Sequence, residues 1–393
     1  MTAKPAPKAK KKGVEYQWGL KAAVKAVRTQ FGEKPLFMTP NRRYIPMRHA
    51  GLAHLLGGRR HPGLPTGAFL EVLGQEHSGK TSLTFAMIQA VITQPPGKHK
   101  IHTETGVEEL PVPRKVLVLD WEQTLDLDYL KSAVPEAVFL DVDEETGAIR
   151  NLSEANVLVH QPDTLDEGCD IMLHMIYSGE IGLVVGDSIA AMLTEEEKSK
   201  PMGENTMGLV ARQMGKLFRK SAHVIRRYGV TVVFINQWRD KIGFVLGDPR
   251  TAPGGKASRY FDAIRLDVSG PTKTPWFPGE GKTVVVKAMK NKISGEKASC
   301  VYHLRNGWGI SAEVELYESL RDRGLIKERS RGVEFNTPSG PRKFPSKLAM
   351  VEAMRSSPKL FNALASAAVK RGIVEGGYVP AEAKKVVGWE DLS

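Results

Sequence analysis

Between positions 74 and 82 the chain reads Gly74-Gln75-Glu76-His77-Ser78-Gly79-Lys80-Thr81-Ser82, two glycines separated by four residues and followed by a lysine and a hydroxyl residue. Glycines at these places let the backbone curl so that successive N–H groups point inward, a donor nest suited to phosphate oxygens. In such a loop Lys80 reaches the β and γ phosphates of a nucleoside triphosphate, and the Thr81 hydroxyl binds Mg2+. The loop works only between a strand and a helix. The apolar run Ala68–Leu73 and the helical stretch from Lys80 to about Val91 supply both, and the positive end of the helix adds to anion binding.

Hydrolysis of a triphosphate also needs carboxylates. Asp187 closes the apolar run Ile181–Asp187 and precedes Ser188, where an acid holds magnesium, usually through water; an aspartate there also resembles a helix cap. Glu122 lies just past the strand ending at Asp120. It could orient and deprotonate an attacking water, although by spacing alone a solvent-exposed glutamate fits equally. Asn236 and Gln237 end the run Val230–Ile235. An amide there can bond the γ-phosphate and report its loss to the following segment, or be an ordinary polar pair leaving a strand. That following segment, WRDKIGFVLGDPRTAPGG, is basic, glycine-rich and studded with apolar residues. Arg239, Lys241 and Arg250 suit nucleic-acid phosphates, while Trp238, Ile242 and Phe244 suit bases. A second polar loop, Thr194–Asn205, leads into a helix carrying Arg212, Lys216, Arg219 and Lys220; those charges fit a solvated helix face as well.

The elements that must position these residues follow from periodicity. Ala68–Leu73, Lys115–Asp120, Asn156–His160, Ile181–Asp187 and Val230–Asn236 read as buried strands alternating with helices, and four of them end in polar residues: Asp120, His160, Asp187 and Asn236. This pattern predicts an α/β fold with a doubly wound, mainly parallel sheet whose ligands sit beyond the carboxyl ends of the strands. Further strands near Ala263–Val268, Thr283–Ala288 and Cys300–Leu304 predict an antiparallel extension. Pro95–Pro113 reads as a surface hairpin and Asp141–Arg150 as an acidic turn. Residues 1–13, with five lysines and no acid, read as a disordered basic tail. Residues 14–45 hold an amphipathic helix from about Tyr16 to Phe31, with Leu20, Val24, Val27 and Phe31 on one stripe, and a linker. Residues 46–312 read as the core. Residues 313–393 read as a small C-terminal domain with helices at Glu313–Gly324 and Ser346–Met354. No internal repeat is visible.

Composition narrows the partners. Lys and Arg outnumber Asp and Glu by 56 to 44, a net charge of +12 in 393 residues, which suits a polyanion, either nucleic acid or an acidic membrane surface, or simply a basic exterior. No apolar run approaches the roughly 18 residues that a spanning helix needs. The N-terminal lysines precede no apolar stretch of a secretory signal, so a cytosolic location is expected. Two cysteines, Cys169 and Cys300, stand far apart outside any paired motif, which excludes a zinc ribbon and argues against a disulfide framework.

In this order and spacing the pieces resemble the RecA recombinase family from about Pro46 to Asn336, and more weakly to Arg371. The resemblance is carried by GLPTGAFLEVLGQEHSGKTSLT, LDWEQTLDLDYL, VHQPDT, GLVVGDSIAAM, TMGLVARQM, FINQWRDKIG, PGGKASRYFDAIRLD and MKNKI. It implies a RecA-like ATPase core with an N-terminal helical arm that docks on the next protomer and a small C-terminal α/β domain. It also implies ATP and Mg2+ as ligands, Glu122 as catalytic base, Asp126 and Tyr129 at the adenine, and Gln237 as γ-phosphate sensor. Thr194–Asn205 and Trp238–Arg259 become the DNA-binding loops. Met207 and Ile242 align with residues that wedge between bases, and Arg212, Arg239, Lys241, Gly254 and Gly255 align with DNA-contacting positions. Lys290 and Lys292 align with a pair that reaches ATP across a subunit seam.

The activity so implied is ATP-dependent pairing and strand exchange between single-stranded DNA and homologous duplex, on a helical filament of this chain in a bacterial or phage-infected cytosol, with no membrane partner. A ring-shaped helicase or translocase and an ATP-binding regulator of DNA with little turnover are the other readings. The NQ-x-R-x-KIG and GGKA segments match recombinases better than ring motors, and the complete set Lys80, Thr81, Glu122 and Asp187 speaks against a regulator. The chain departs from the family's pattern at Gly186, at Ala252 and Pro253, in the lysines of Thr194–Asn205 and in the two insertions. Its end also has little acid beyond Glu390 and Asp391. These mark a divergent homologue, for which a phage genome is one source.

Overall fold

The computed structural model describes residues 42–102, 107–143, 145–201, 204, 208–241, 249–272, 276, 279–322, 324–337 and 340–370, together with 25 and 29. The basic tail, the C-terminal residues beyond 370, and all but two residues of the expected N-terminal helix lie outside them. Chain contacts separate a small unit, Met1–Asn41 with Lys100–Glu109, from a large unit, Arg42–His99 with Leu110–Ser393. In the small unit Lys25 and Thr29 are helical, and the Thr29 hydroxyl donates to the Lys25 carbonyl.

The large unit is built on a nine-stranded sheet. Six strands run parallel: β3 (Ala68–Gly74), β6 (Lys115–Asp120), β7 (Val157–His160), β8 (Ile181–Asp187), β9 (Thr231–Gln237) and β12 (Ile264–Thr272). The antiparallel strands β13 (Gly281–Asn291), β14 (Ser299–Arg305) and β15 (Gly309–Ile310) complete it. The spatial order is β15-β14-β13-β12-β3-β9-β8-β6-β7. This corrects the expected extension at one strand: β12 is parallel to β3, and the antiparallel part begins with β13. The expected α/β class with a central, mainly parallel sheet holds.

Strand alternation builds two cores. Leu70 and Val72 of β3, Val116 and Val118 of β6, and Val233 and Ile235 of β9 join one. It is covered by α1 (Ala50–Gly57), α2 (Lys80–Ile92) and α3 (Leu127–Ala133) through Leu52, Leu56, Met87 and Leu130. Phe69, Leu117, Leu119, Val232 and Phe234 join the other, under α4 (Leu165–Tyr177) and α6 (Leu209–Tyr228). Each fully buried aliphatic or aromatic side chain contributes about 1.5–3 kcal/mol of transfer free energy, so the sheet is the rigid reference for everything at its edge. The short α5 (Glu195–Lys198) opens on a capping box formed by Thr194 and Glu197. The seven-residue α7 (Gly255–Phe261) leads back into the sheet at β12.

The chain also forms three two-stranded ribbons: β1 (Tyr44–Ile45) with β2 (Leu64–Pro65), β4 (Lys98–His102) with β5 (Val107–Pro111), and β10 (Arg239–Asp240) with β11 (Arg250–Thr251). The second realises the hairpin expected at Pro95–Pro113. A third apolar cluster gathers Val314, Tyr317, Leu320, Met350, Met354, Phe361 and Leu364 around Trp276. It lies among α8 (Ala312–Asp322), α9 (Lys347–Ser356), α10 (Pro358–Lys370) and an antiparallel sheet of β16 (Ile326–Arg329), β17 (Gly332–Thr337) and β18 (Gly340–Phe344). Ser346 caps α9 by accepting the Ala349 N–H at 3.0 Å.

Candidate nucleotide-binding site

β3 delivers Gly74 and α2 starts at Lys80, so the glycine loop spans a strand end and a helix start. A Cβ on Gly74 would lie 2.4 Å from Ser78 Oγ and 2.5 Å from the Val268 carbonyl, and Gly79 has φ +98°; only glycine fits both places. Gln75, Glu76 and His77 are exposed, whereas Ser78, Lys80 and Ser82 are buried. Lys80 Nζ donates to the Gln75 carbonyl at 2.6 Å, inside its own loop. Burial pushes its ammonium below the ordinary lysine range, opposed by the negative charges of Asp187, Glu122 and Glu76. The Ser78 hydroxyl is buried with no partner among the described residues. An orphan hydroxyl and a lysine folded onto a carbonyl are the groups a bound triphosphate would engage.

Thr81 Oγ1 donates to Asp187 Oδ2 at 3.2 Å, which joins the loop to the end of β8. The Asp187 carboxyl is pushed up to about 7, by burial first and then by Glu122 and Asp120; the Thr81 hydrogen bond and Lys80 oppose the shift. Two oxygen ligands, one a half-buried acid crowded by the carboxylates of Glu122 and Asp120, fit a hard cation such as Mg2+. Asp187 does not cap a helix: a 3-10 turn begins after Ser188, and its side chain turns to Thr81 instead. The N–H groups of Trp121 and Glu122 both donate to the Asp187 carbonyl, at 2.7 and 3.2 Å, so β6 and β8 end together. Glu122 is half-buried, and its Oε1 accepts from Ser188 Oγ and, at 3.1 Å, from Gln237 Nε2. Asp126 caps α3 by accepting the Tyr129 N–H at 2.9 Å. The Tyr129 hydroxyl lies 2.8 Å from Ser82 Oγ.

Gln237 is the last residue of β9, and its neighbour Asn236 is fully buried. Asn236 Nδ2 donates to Glu71 Oε1 at 2.8 Å and to the Pro253 carbonyl at 3.0 Å. It thereby ties the far end of the 237–255 segment to the strand that feeds the phosphate loop. The segment leaves as the β10–β11 ribbon, with Arg239 opposite Thr251 and Asp240 opposite Arg250. Trp238, expected to meet bases, is buried. Its indole N–H donates to Asp267 Oδ1 at 2.7 Å, and Arg250 stacks on its ring and bonds Asp267 Oδ2 at 3.0 Å. Both therefore brace the base of the ribbon, because the half-buried β12 carboxylate beside it offers a partner to each. Gly254 (φ +85°) and Gly255 (φ +73°) begin α7. Arg239 and Lys241 are exposed, and exposed Arg212 pairs with Glu196 at 2.7 Å. Met207, Ile242 and Phe244 lie outside the described residues.

The phosphate loop, Thr81, Asp187, Glu122 and Gln237 are thus brought together at one sheet edge. Lys290 and Lys292 are not. Their amines donate to the Arg259 and Tyr260 carbonyls at the end of α7. Two neighbours of the site were missed by sequence reasoning. Ser188 was signalled only by its place after Asp187. Lys282 of β13 donates to the His77 carbonyl and had no sequence signal, because only strand order brings β13 to the loop.

A family model for the RecA N-terminal domain matches residues 135–311. Protein RecA of Streptococcus sanguinis (strain SK36) is 30% identical over 335 residues, 83% of this chain and 78% of the relative. The chain belongs to the RecA family. Chromosomal Protein RecA of Lactococcus lactis subsp. lactis (strain IL1403) is 32% identical over 279 residues, 70% of this chain, and the match spans 63% of that relative's length. An aligned stretch as long as the streptococcal one necessarily includes the 74–81 loop. For a RecA-family chain this matters, since the domain match begins after Glu122 and the loop itself. Among the described residues no helix is long and apolar enough to cross a membrane.

Proposed function

We propose that this chain is an ATP-dependent recombinase that assembles as a helical filament on single-stranded DNA and pairs it with homologous duplex. The observation that carries the reading is the 3.1 Å bond between Gln237 and Glu122. It joins the candidate hydrolytic carboxylate to the strand whose continuation is the basic, glycine-rich 237–255 segment. ATP would lie along the Gly74–Ser82 loop, with Lys80 at the β and γ phosphates and Asp126 and Tyr129 toward the adenine. Thr81 and Asp187 would hold Mg2+, which would screen phosphate charge. Glu122 would take the proton of the attacking water. Gln237 would exchange its bond to Glu122 for one to the γ-phosphate and so couple occupancy to the ribbon.

Arg212, Arg239, Lys241 and the backbone at Gly254 and Gly255 would meet the DNA phosphates, with Met207 and Ile242 between bases. Lys290 and Lys292 would complete the nucleotide site of the adjacent protomer, supplying charge where it develops on the γ-phosphate. The domain reading, a 46–312 core with a docking arm before it and a small domain after it, belongs to the same proposal, as does a cytosolic location. The test is joint-molecule formation between circular single-stranded DNA and homologous linear duplex, with electron microscopy of the same samples. ATP-dependent joint molecules on extended filaments are expected. Closed rings, or oligonucleotide binding indifferent to ATP without polymerisation, would sink the reading.

A further inference from the structure

Glu71 and Asp262 are each only 1% exposed, although they come from different elements: the middle of β3 and the residue that ends α7. One guanidinium serves both. Arg265 Nε lies 2.5 Å from Glu71 Oε2 and 4.0 Å from Asp262 Oδ2. The other Glu71 oxygen takes Asn236. Both Asp262 oxygens are buried, and no donor among the described residues reaches them. Lys290 stands opposite Arg265 across β12 and β13 and acts on Asp262 at a distance, but its amine is committed to the Arg259 carbonyl. β9 contributes only the neutral Asn236. The cations Lys216, Arg219 and Lys220 of α6, which packs on α7, are exposed.

Two buried carboxylates with one bonded cation leave a charge that the protein interior tolerates poorly, and a proton is the cheaper counter-ion. As carboxylates neither acid can donate to the other, and both stand beside the same guanidinium nitrogen, at 2.5 and 4.0 Å. A proton on Asp262 would give one of its partnerless oxygens a hydrogen to donate to Glu71. Burial first, and Glu71 second, hold the Asp262 carboxyl well above the usual carboxylate range, against the pull of Arg265 and Lys290.

We propose that Glu71 and Asp262 share one proton, and that this acid–carboxylate bond is a positioning contact fixing the end of α7 to β3. Glu71 is then the hub of the 237–255 segment: one oxygen holds Asn236, next to Gln237, the other holds Arg265, and the carboxylate takes the proton of Asp262. Loss of the proton sets two negative charges side by side. It releases α7, and with it Gly254 and Gly255, from the strand that ends in the phosphate loop.

The test uses the full chain, Asp262→Asn and Asp262→Ala. Infrared difference spectra of wild type minus Asp262→Asn, recorded at the same near-neutral pH so that the Asp187 signal cancels, should show a deuterium-sensitive carboxylic-acid C=O band in wild type. Because the folded-state ionisation is raised, the stabilisation is complete below the unfolded carboxylate range and is lost as pH rises through the folded value. Wild-type melting temperature should therefore fall as pH rises from the unfolded carboxylate range to the folded value, while in Asp262→Asn, which keeps a donor to Glu71, this fall is absent.

The third readout rests on the recombinase proposal. The ratio of DNA-stimulated to basal ATP hydrolysis should fall about tenfold per pH unit beyond the ionisation in wild type. It should hold in Asp262→Asn and be lost at every pH in Asp262→Ala. No acid band in wild type, or a decline with rising pH in Asp262→Asn matching wild type, overturns the shared proton. The infrared and melting measurements need neither ATP nor DNA, so their failure is distinct from failure of the joint-molecule assay.

Discussion

One carboxylate oxygen concentrates the hydrogen bonds of the candidate nucleotide site. Glu122 Oε1 takes both donors, Ser188 and Gln237, which leaves Oε2 without a partner among the described residues and available to a water proton. Replacing Glu122 by Gln keeps the shape and both neighbours but removes the base. The expected result is kcat for ATP lowered about 10²–10⁴-fold with little change in affinity, measured by steady-state hydrolysis beside binding of a fluorescent ATP analogue. Equal turnover in Glu122→Gln would take the base role away from Glu122. A different residue-scale demand falls on Gly74, where a methyl group would meet Ser78 Oγ and the Val268 carbonyl at 2.4 and 2.5 Å. Neither the buried loop hydroxyl nor the adjacent strand can yield cheaply. Gly74→Ala should cost about 1–3 kcal/mol of stability and weaken nucleotide binding, seen together in thermal melts with and without ATP.

The elements around the site differ in how far a reader of the sequence can anticipate them. The places of the glycine loop and Asp187 were legible because each sits at the end of an apolar run, and parallel strands put their carboxyl ends on one edge whatever their order; Glu122, which spacing alone left equal to a solvent-exposed glutamate, stood out only through the family resemblance. The partners that depend on strand order were not. Asn236 reaches Glu71 across 165 residues, and Arg265 reaches it across 194; nothing local announces that β3 lies between β9 and β12. Trp238 was misread for the same reason, since its aromatic ring in a basic loop suits a base until β12 sets Asp267 beside it. That carboxylate yields a prediction about the ribbon. Asp267→Ala strands a buried indole N–H and loosens Arg250, a loss of about 1–3 kcal/mol confined to the base of β10 and β11. Affinity for single-stranded oligonucleotide should fall by fluorescence anisotropy while ATP hydrolysis without DNA is retained. An unchanged oligonucleotide affinity would mean that the ribbon base does not govern DNA contact.

At the scale of the molecule, the two lysines at the end of β13 bear on assembly. Lys290 and Lys292 both face the carbonyls that close α7, a favourable place for cations at a helix C-terminus, and they do not approach the phosphate loop of their own chain. If they serve a neighbour's triphosphate, they must leave those carbonyls when a second protomer docks, so assembly and the setting of α7 become one event. A nucleotide site formed from two chains can be rebuilt from two defective ones. Lys80→Ala supplies intact lysines at the end of β13, and a Lys290→Ala, Lys292→Ala double variant supplies an intact loop. Each alone should be nearly inactive in DNA-dependent ATP hydrolysis. Mixed in equal amounts, about a quarter of the head-to-tail seams would join a sound loop to sound lysines. ATP hydrolysis should recover to about that fraction of wild type, rising with protein concentration as filaments form. A mixture no more active than its components would place both lysines in a purely intramolecular role at the end of α7.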